Sequence, residues 1–211
     1  MNNAGATVFV VDDDISVRTG LSRLIRSAGW AVEMIGSAPE FLERAPNVKI
    51  GCVVLDVHMP NMSGPELYDR MKEAGIFFPV VFLTGKGEIS TGVDVMKKGA
   101  IDYLLKPVDD EVLLTAIDHA IERHVAESTH ENAKASVLSR FSHLSLRERE
   151  VLYLVLNGRL NKQIGGDLGI AEKTVKVHRG RVMEKMQVRS VAALVHLCEM
   201  AGIHAPYSTS N

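Results

Sequence analysis

From residue 7 to about residue 125 the chain alternates short apolar runs with amphipathic segments, and few folds accommodate that alternation. The runs, at 7–11, 31–35, 52–56, 80–83 and 101–104, are rich in Val, Ile and Phe and are bounded by Asp, Gly or Pro. Runs of this length and composition read as buried parallel strands, because a strand covered on both faces carries no polar alternation. The segments between them open with helix-start signals. Ser37 with Glu40 and Ser63 with Glu66 have capping-box spacing, and Pro39 and Pro65 fall in first turns. Five strand–helix units predict an α/β fold with a five-stranded doubly wound parallel sheet, whose ligands bind beyond the carboxyl ends of the strands.

The special residues fall at those ends. Asp12, Asp13 and Asp14 follow the first run, Asp56 ends the third, Thr84 follows the fourth, and Lys106 with Pro107 follows the fifth. The fold would gather carboxylates, a hydroxyl and an ammonium into one pocket. Packed carboxylates repel unless a cation neutralises them, and oxygen ligands with room for water suit Mg²⁺. In such a pocket Asp56 could attack phosphorus, with Lys106 and Thr84 on the phosphoryl oxygens. Each residue alone also has a structural reading, as a helix cap, a loop or a turn.

The fifth helix is expected from near Asp109, with apolar spacing at Leu113, Ile117, Ala120, Ile121 and Val125. Residues 127–136 are polar without Pro or Gly, which fits either a continuing exposed helix or a loose linker. Ser145 with Glu148 is another capping box and opens a short helical domain. The resulting division is a domain at 1–123, a helical linker at 124–142, a small all-α domain at 143–203 and a disordered tail at 204–211.

Charge follows the same division. Residues 1–140 carry 14 basic against 20 acidic side chains, whereas residues 141–211 carry 10 against 6. A basic second part suits a polyanionic partner. The apolar run after residues 1–6 stops at Val11 with no basic region before it, so no signal peptide is expected. The longest apolar stretch, 77–83, is too short to cross a bilayer. Cys52 and Cys198 stand in apolar contexts and read as separate buried thiols.

The motifs Val10-Val-Asp-Asp-Asp14, Leu55-Asp-Val-His-Met-Pro60, Phe82-Leu-Thr-Gly85 and Tyr103-Leu-Leu-Lys-Pro107 resemble the receiver domain of two-component response regulators. The resemblance implies Asp56 as phosphoacceptor, with Thr84, Lys106 and the switch aromatic Tyr103 around it. It implies Mg²⁺ on Asp13, Asp56 and the backbone carbonyl of His58, with Asp12 acting through water; the His58 imidazole would be exposed. It also implies that phosphorylation draws Thr84 inward and turns Tyr103, remodelling a fourth helix at about 88–98. A dehalogenase-like phosphatase is the rival reading, but it needs a second Asp two residues beyond the nucleophile, where His58 stands.

Leu144-Ser-Leu-Arg-Glu-Arg-Glu-Val-Leu152, Asn161-Lys-Gln-Ile164, Leu168-Gly-Ile170 and Thr174-Val-Lys-Val-His-Arg179 resemble the LuxR-type helix-turn-helix of the FixJ/NarL family. The FixJ-like subgroup, which includes regulators of aromatic-hydrocarbon catabolism, is most similar. At about 100° per residue, Val175, His178, Val182 and Met186 share one side of the helix from about Lys173, the core side. The opposite side presents Lys173, Lys176, Val177 and Gly180 to the major groove, where Lys176 can donate to guanine and Val177 can touch a thymine methyl. Arg179, Arg181 and Lys162 are placed for phosphates. Gly165 and Gly166 depart from the family pattern and are each expected to weaken their helix by about 1 kcal/mol; Gly180 leaves one reader fewer. An RNA-binding output is the alternative, but RNA readers expose stacking aromatics, and Phe141, Tyr153 and Tyr207 fall in a linker, a core-spaced helix and the tail.

The resemblance therefore implies a cytoplasmic, phosphorylation-dependent regulator of transcription, and not a turnover enzyme. Its partners would be a sensor histidine kinase, double-stranded promoter DNA, RNA polymerase and, once phosphorylated, a second copy of itself. Action as an activator is the expectation.

Overall fold

The computed structural model describes residues 5–45, 48–85 and 89–205. Glu88, expected to open the fourth helix, and residues 206–211 of the expected disordered tail lie outside them, as do residues 1–4. The chain forms two compact units that divide between Ser128 and Thr129.

In the first unit, β1 (Thr7–Val11), β2 (Ala31–Ile35), β3 (Gly51–Asp56), β4 (Val80–Thr84) and β5 (Asp102–Leu105) form one sheet in the order β2-β1-β3-β4-β5. Every pairing is parallel, with Val10 opposite both Met34 and Val54, and Thr84 opposite Leu105. The helices α1 (Ile15–Ser27), α2 (Ala38–Arg44), α3 (Gly64–Glu73), α4 (Ile89–Lys97) and α5 (Asp110–Ser142) follow the strands in turn, with α5 belonging to the second unit from Thr129 onward. Successive strand residues face opposite sides, so the sheet carries two cores. Phe9, Val11, Leu55 and Phe82 pack with Phe41, Leu67 and Met71 on one side. Val8, Val10, Val54 and Val81 pack with Ile25, Leu113 and Ile117 on the other.

Burial of all five strands was the expectation; the structure restricts it. β3 and β4 are buried throughout and β1 almost so, whereas β2 and β5 are partly exposed, with Met34 41% and Leu105 56% exposed. The latter two are the sheet's edges, each with a hydrogen-bonded neighbour on one side only. β3 also begins one residue before the expected run. A Cβ on Gly51 would stand 2.3 Å from the Thr7 carbonyl oxygen, so only glycine admits this register with β1.

The caps form largely as the spacing implies. Ser63 with Glu66 and Ser145 with Glu148 make reciprocal capping boxes. Ser37 accepts from the Glu40 amide, but the Glu40 carboxylate reaches back to the Gly36 amide instead of Ser37. α5 is helical through residues 127–136, the stretch that sequence left between helix and loose linker.

The second unit contains α6 (Leu146–Leu156), α7 (Asn161–Leu168), α8 (Glu172–Lys185) and α9 (Val191–Ala201). Its core joins Val151, Leu152, Ile164, Val175, Val182, Met186, Leu194 and Cys198. It also includes Val137, only 1% exposed, from the stretch read as linker. Gly169, at φ 65°, terminates α7 in the left-handed conformation that glycine adopts without steric penalty. Gly165 corrects an expectation. A Cβ there would lie 2.8 Å from the Ile170 carbonyl oxygen, so this glycine is required by a close backbone approach. Both cysteines are free and buried, and burial pushes the Cys198 thiol up to about 11.

Candidate functional site

The three consecutive aspartates after β1 take three different environments. Asp12 is 2% exposed and accepts the Asp14 amide at 2.9 Å. Asp13 is exposed. Asp14 caps α1 by accepting the Ser16 amide at 2.7 Å, and the Ser16 hydroxyl and amide hold its carboxyl below the usual range.

Asp56 ends β3 and is 6% exposed. Its Oδ2 accepts the His58 amide at 2.8 Å. Lys106, just past β5, places Nζ 2.6 Å from Asp56 Oδ1 and 2.6 Å from Asp12 Oδ2. One ammonium therefore bridges two nearly buried carboxylates from different strands. Burial pushes the Asp56 carboxyl up, and Lys106 offsets this in part. Burial opposes the Lys106 charge, but hydrogen bonds to Asp12 and Asp56 outweigh it and raise the ammonium above its ordinary value. The pocket thus keeps its charges by mutual compensation.

Thr84 is fully buried at the end of β4, and its carbonyl accepts the Lys106 amide at 2.7 Å. Tyr103 is half-buried on β5. A Cβ added to Gly92 of α4 would lie 3.0 Å from its ring, so strand and helix touch at this residue. His58 is exposed, as expected.

Sequence reading overlooked Gly64. A Cβ there would meet the Asp56 carbonyl oxygen at 2.3 Å, and the Gly64 amide donates to Val57 at 2.9 Å. Glycine at this helix start lets α3 press against the backbone of Asp56. Its place between the Ser63 cap and Pro65 was the available signal.

Among the described residues no group of three or more His, Cys, Asp or Glu side chains is arranged to hold a metal ion. The donor chemistry nonetheless fits Mg²⁺. Asp12, Asp13 and Asp56 offer carboxylates and His58 a backbone carbonyl, all hard oxygens at the carboxyl ends of β1 and β3.

In the second unit, Val175, Val182 and Met186 bury one side of α8. His178 is half-buried on that side, with its buried Nδ1 lacking a hydrogen-bond partner among the described residues. Lys173, Lys176, Val177, Gly180 and Arg181 are exposed, and Lys162 is exposed on α7. Lys176 lies 3.3 Å from Glu172 in a solvated pair. Arg179 is held by a neighbour. It is half-buried, and its Nη1 donates to Asn161 Oδ1 at 2.9 Å, so Asn161 orients the guanidinium. Space is open beside Gly180.

Residues 8–118 match the response regulator receiver domain, and residues 142–198 match the bacterial regulatory proteins of the luxR family. Nodulation protein W of Bradyrhizobium diazoefficiens is 43% identical over 96% of this chain and 89% of its own length. Transcriptional regulatory protein FixJ of Azorhizobium caulinodans is 40% identical over 93% of each. Response regulator protein TodT of Pseudomonas putida F1 is 39% identical over 94% of this chain and 88% of its own length. Among solved structures, response regulator StyR superposes with a TM-score of 0.86 at 47% identity, over 93% of this chain and 99% of that one. Full-length FixJ from B. japonicum gives 0.58 at 38% identity, over 95% and 98%. With a bridged aspartate pair at the strands' carboxyl ends in one unit and a cationic helix on the other, this chain belongs to the FixJ/NarL family of two-component response regulators and is a transcriptional regulator rather than a turnover enzyme.

Proposed function

We propose that Asp56 accepts a phosphoryl group from a phosphohistidine of a sensor histidine kinase, and that the phosphorylated protein dimerises on promoter DNA. The observation that carries this reading is Lys106, 2.6 Å from both Asp12 and Asp56. An Asp56 carboxylate oxygen forms the new bond to phosphorus while the P–N bond breaks and the imidazole leaves. Lys106 is already within reach of Asp56, so its ammonium turns to a phosphoryl oxygen with little movement. The Thr84 hydroxyl donates to another. Asp13, Asp56 and the His58 carbonyl would hold Mg²⁺, with Asp12 acting through water. When bound, the ion neutralises the charge gathered around the incoming group.

For the output, Lys176 and Val177 read base edges, and the open space at Gly180 permits close approach. Arg181, Lys162 and the Asn161-oriented Arg179 meet phosphates, and Lys173 faces the groove beside Lys176. One reader helix makes few contacts, so two copies one DNA turn apart are needed for tight binding. Ile89, Val93 and Met96 on α4 and Leu105 on β5 are 83%, 45%, 42% and 56% exposed. They form an apolar surface on the elements that meet at Tyr103, which favours dimerisation as the response to phosphorylation. The protein acts in the cytoplasm, as an activator working with RNA polymerase.

Labelling by radioactive acetyl phosphate tests the chemistry. Asp56→Asn and chelation of Mg²⁺ should each abolish it, and stoichiometric labelling of the Asn variant would sink the assignment. Sedimentation with and without phosphodonor tests dimerisation. A phosphorylated protein that stays monomeric yet binds DNA more tightly would rule it out.

A further inference from the structure

The last turn of α8 is held by residues far from it in sequence. Arg140, near the end of α5, donates from Nη1 to the Met186 carbonyl at 3.0 Å. Met186 is the C-cap of α8, where carbonyls lack intrahelical partners and carry partial negative charge, so a guanidinium is a favourable partner. The next residue, Gln187, sits at φ 57°, a left-handed conformation that a non-glycine residue keeps only where its surroundings hold it. In the same turn Lys185 reaches Glu148 Oε2 at 2.7 Å and the His143 carbonyl at 3.2 Å. Val137 and Leu144 flank Arg140 in sequence and are buried in the same core, with Phe141 packed against it.

We propose that Arg140 is a positioning residue for DNA reading: the end of α5 is a working part of the DNA-binding unit and sets the angle at which α8 meets the groove. This rests on the DNA-binding function proposed above. Met186 is ten residues from Lys176, about 15 Å along the helix at 1.5 Å per residue. A helix released at one end pivots, and the reading side chains at the other end are displaced. Base readout requires placement to about 0.5 Å. Phosphate attraction depends on charge and tolerates the tilt.

The test uses the full-length chain with acetyl phosphate and Mg²⁺. A duplex selected from a random-sequence pool by the unsubstituted protein is compared with a scrambled duplex of the same composition. Arg140→Ala should lose about tenfold in affinity for the selected duplex and keep its affinity for the scrambled one, the size expected for one charge-assisted hydrogen bond. Arg140→Lys should recover most of the loss, because an ammonium can also donate to the Met186 carbonyl. If Arg140→Ala does not fold, Arg140→Lys and Arg140→Gln supply the comparison, with the loss of discrimination larger for Gln. Equal loss on both duplexes would overturn the proposal, as would no loss on either. A salt dependence reduced by about one ion would also overturn it, since that would place Arg140 on a phosphate. If the unsubstituted protein enriches no duplex at all, the DNA-binding function fails, and with it this proposal.

Discussion

Gly165 on α7 and Ile170 at the following turn approach each other backbone to backbone. The Ile170 amide donates to the Gly165 carbonyl at 2.9 Å, and a Cβ on Gly165 would lie 2.8 Å from the Ile170 oxygen. Gly166, its neighbour, has nothing within 4 Å of that position. Alanine should therefore act in opposite directions at the two sites. Gly165→Ala should destabilise the second unit by about 1–3 kcal/mol through overpacking. Gly166→Ala should stabilise it by about 0.5–1 kcal/mol. Denaturation followed by far-UV circular dichroism measures both, while the single Trp30 reports on the first unit by fluorescence. Two shifts of the same sign would refute the contrast.

Gly64 should prove sensitive through its contact with Asp56. Gly64→Ala places a methyl 2.3 Å from the Asp56 carbonyl oxygen, so either the backbone of Asp56 or the start of α3 must move. The first unit should lose about 1–3 kcal/mol, read by Trp30 fluorescence, and labelling by acetyl phosphate should slow at least about tenfold. Normal labelling at normal stability would show that α3 yields instead.

Acid should weaken the second unit through Glu148. Lys185 beside Glu148 holds its carboxyl below the ordinary glutamate value of 4.5, and the capping contacts to Ser145 add to this. A carboxyl depressed in the folded state contributes stability above its unfolded value, and that contribution is lost as pH falls through the folded one. The second unit should thus lose stability as pH drops below about 4.5, and Glu148→Gln should flatten that dependence. Denaturation midpoints from about pH 6 down to about pH 3 provide the comparison. An unchanged slope in Glu148→Gln would assign the acid response elsewhere.

The two faces of α8 should separate in binding assays. Lys176→Ala should relax discrimination at one or two base positions, costing about 1–3 kcal/mol on the preferred duplex. The solvated pair with Glu172 offers little compensation. Arg179→Ala and Lys162→Ala should weaken all sequences alike and flatten the salt dependence. Asn161→Ala should resemble Arg179→Ala in smaller measure, because it frees the guanidinium without removing it. Altered base preference in Arg179→Ala, with Lys176→Ala unchanged, would reverse the assignment of faces.

Local signals sufficed for much of this protein. Strand runs, capping boxes and the order of Asp12, Asp56, Thr84 and Lys106 at strand ends were legible because each depends on neighbours in sequence, and parallel topology brings strand ends to one edge. The buried side of α8 was legible from helical period alone, through Val175, Val182 and Met186. Other features depended on packing between distant segments. Three adjacent aspartates look equivalent in sequence, yet only Asp12 joins Asp56 on Lys106, because the strand end turns Asp13 toward solvent and Asp14 onto α1. Partial exposure of β2 and β5 follows from edge positions that composition does not reveal. Gly165 looked like a weakness until Ile170 was beside it, and nothing in the sequence pairs Arg179 with Asn161. Val137 and Arg140 lie in the stretch assigned to the linker, and their roles emerge only where α5 meets α8. Periodicity reports which side of an element is apolar; which residue stands opposite is decided by close packing in three dimensions.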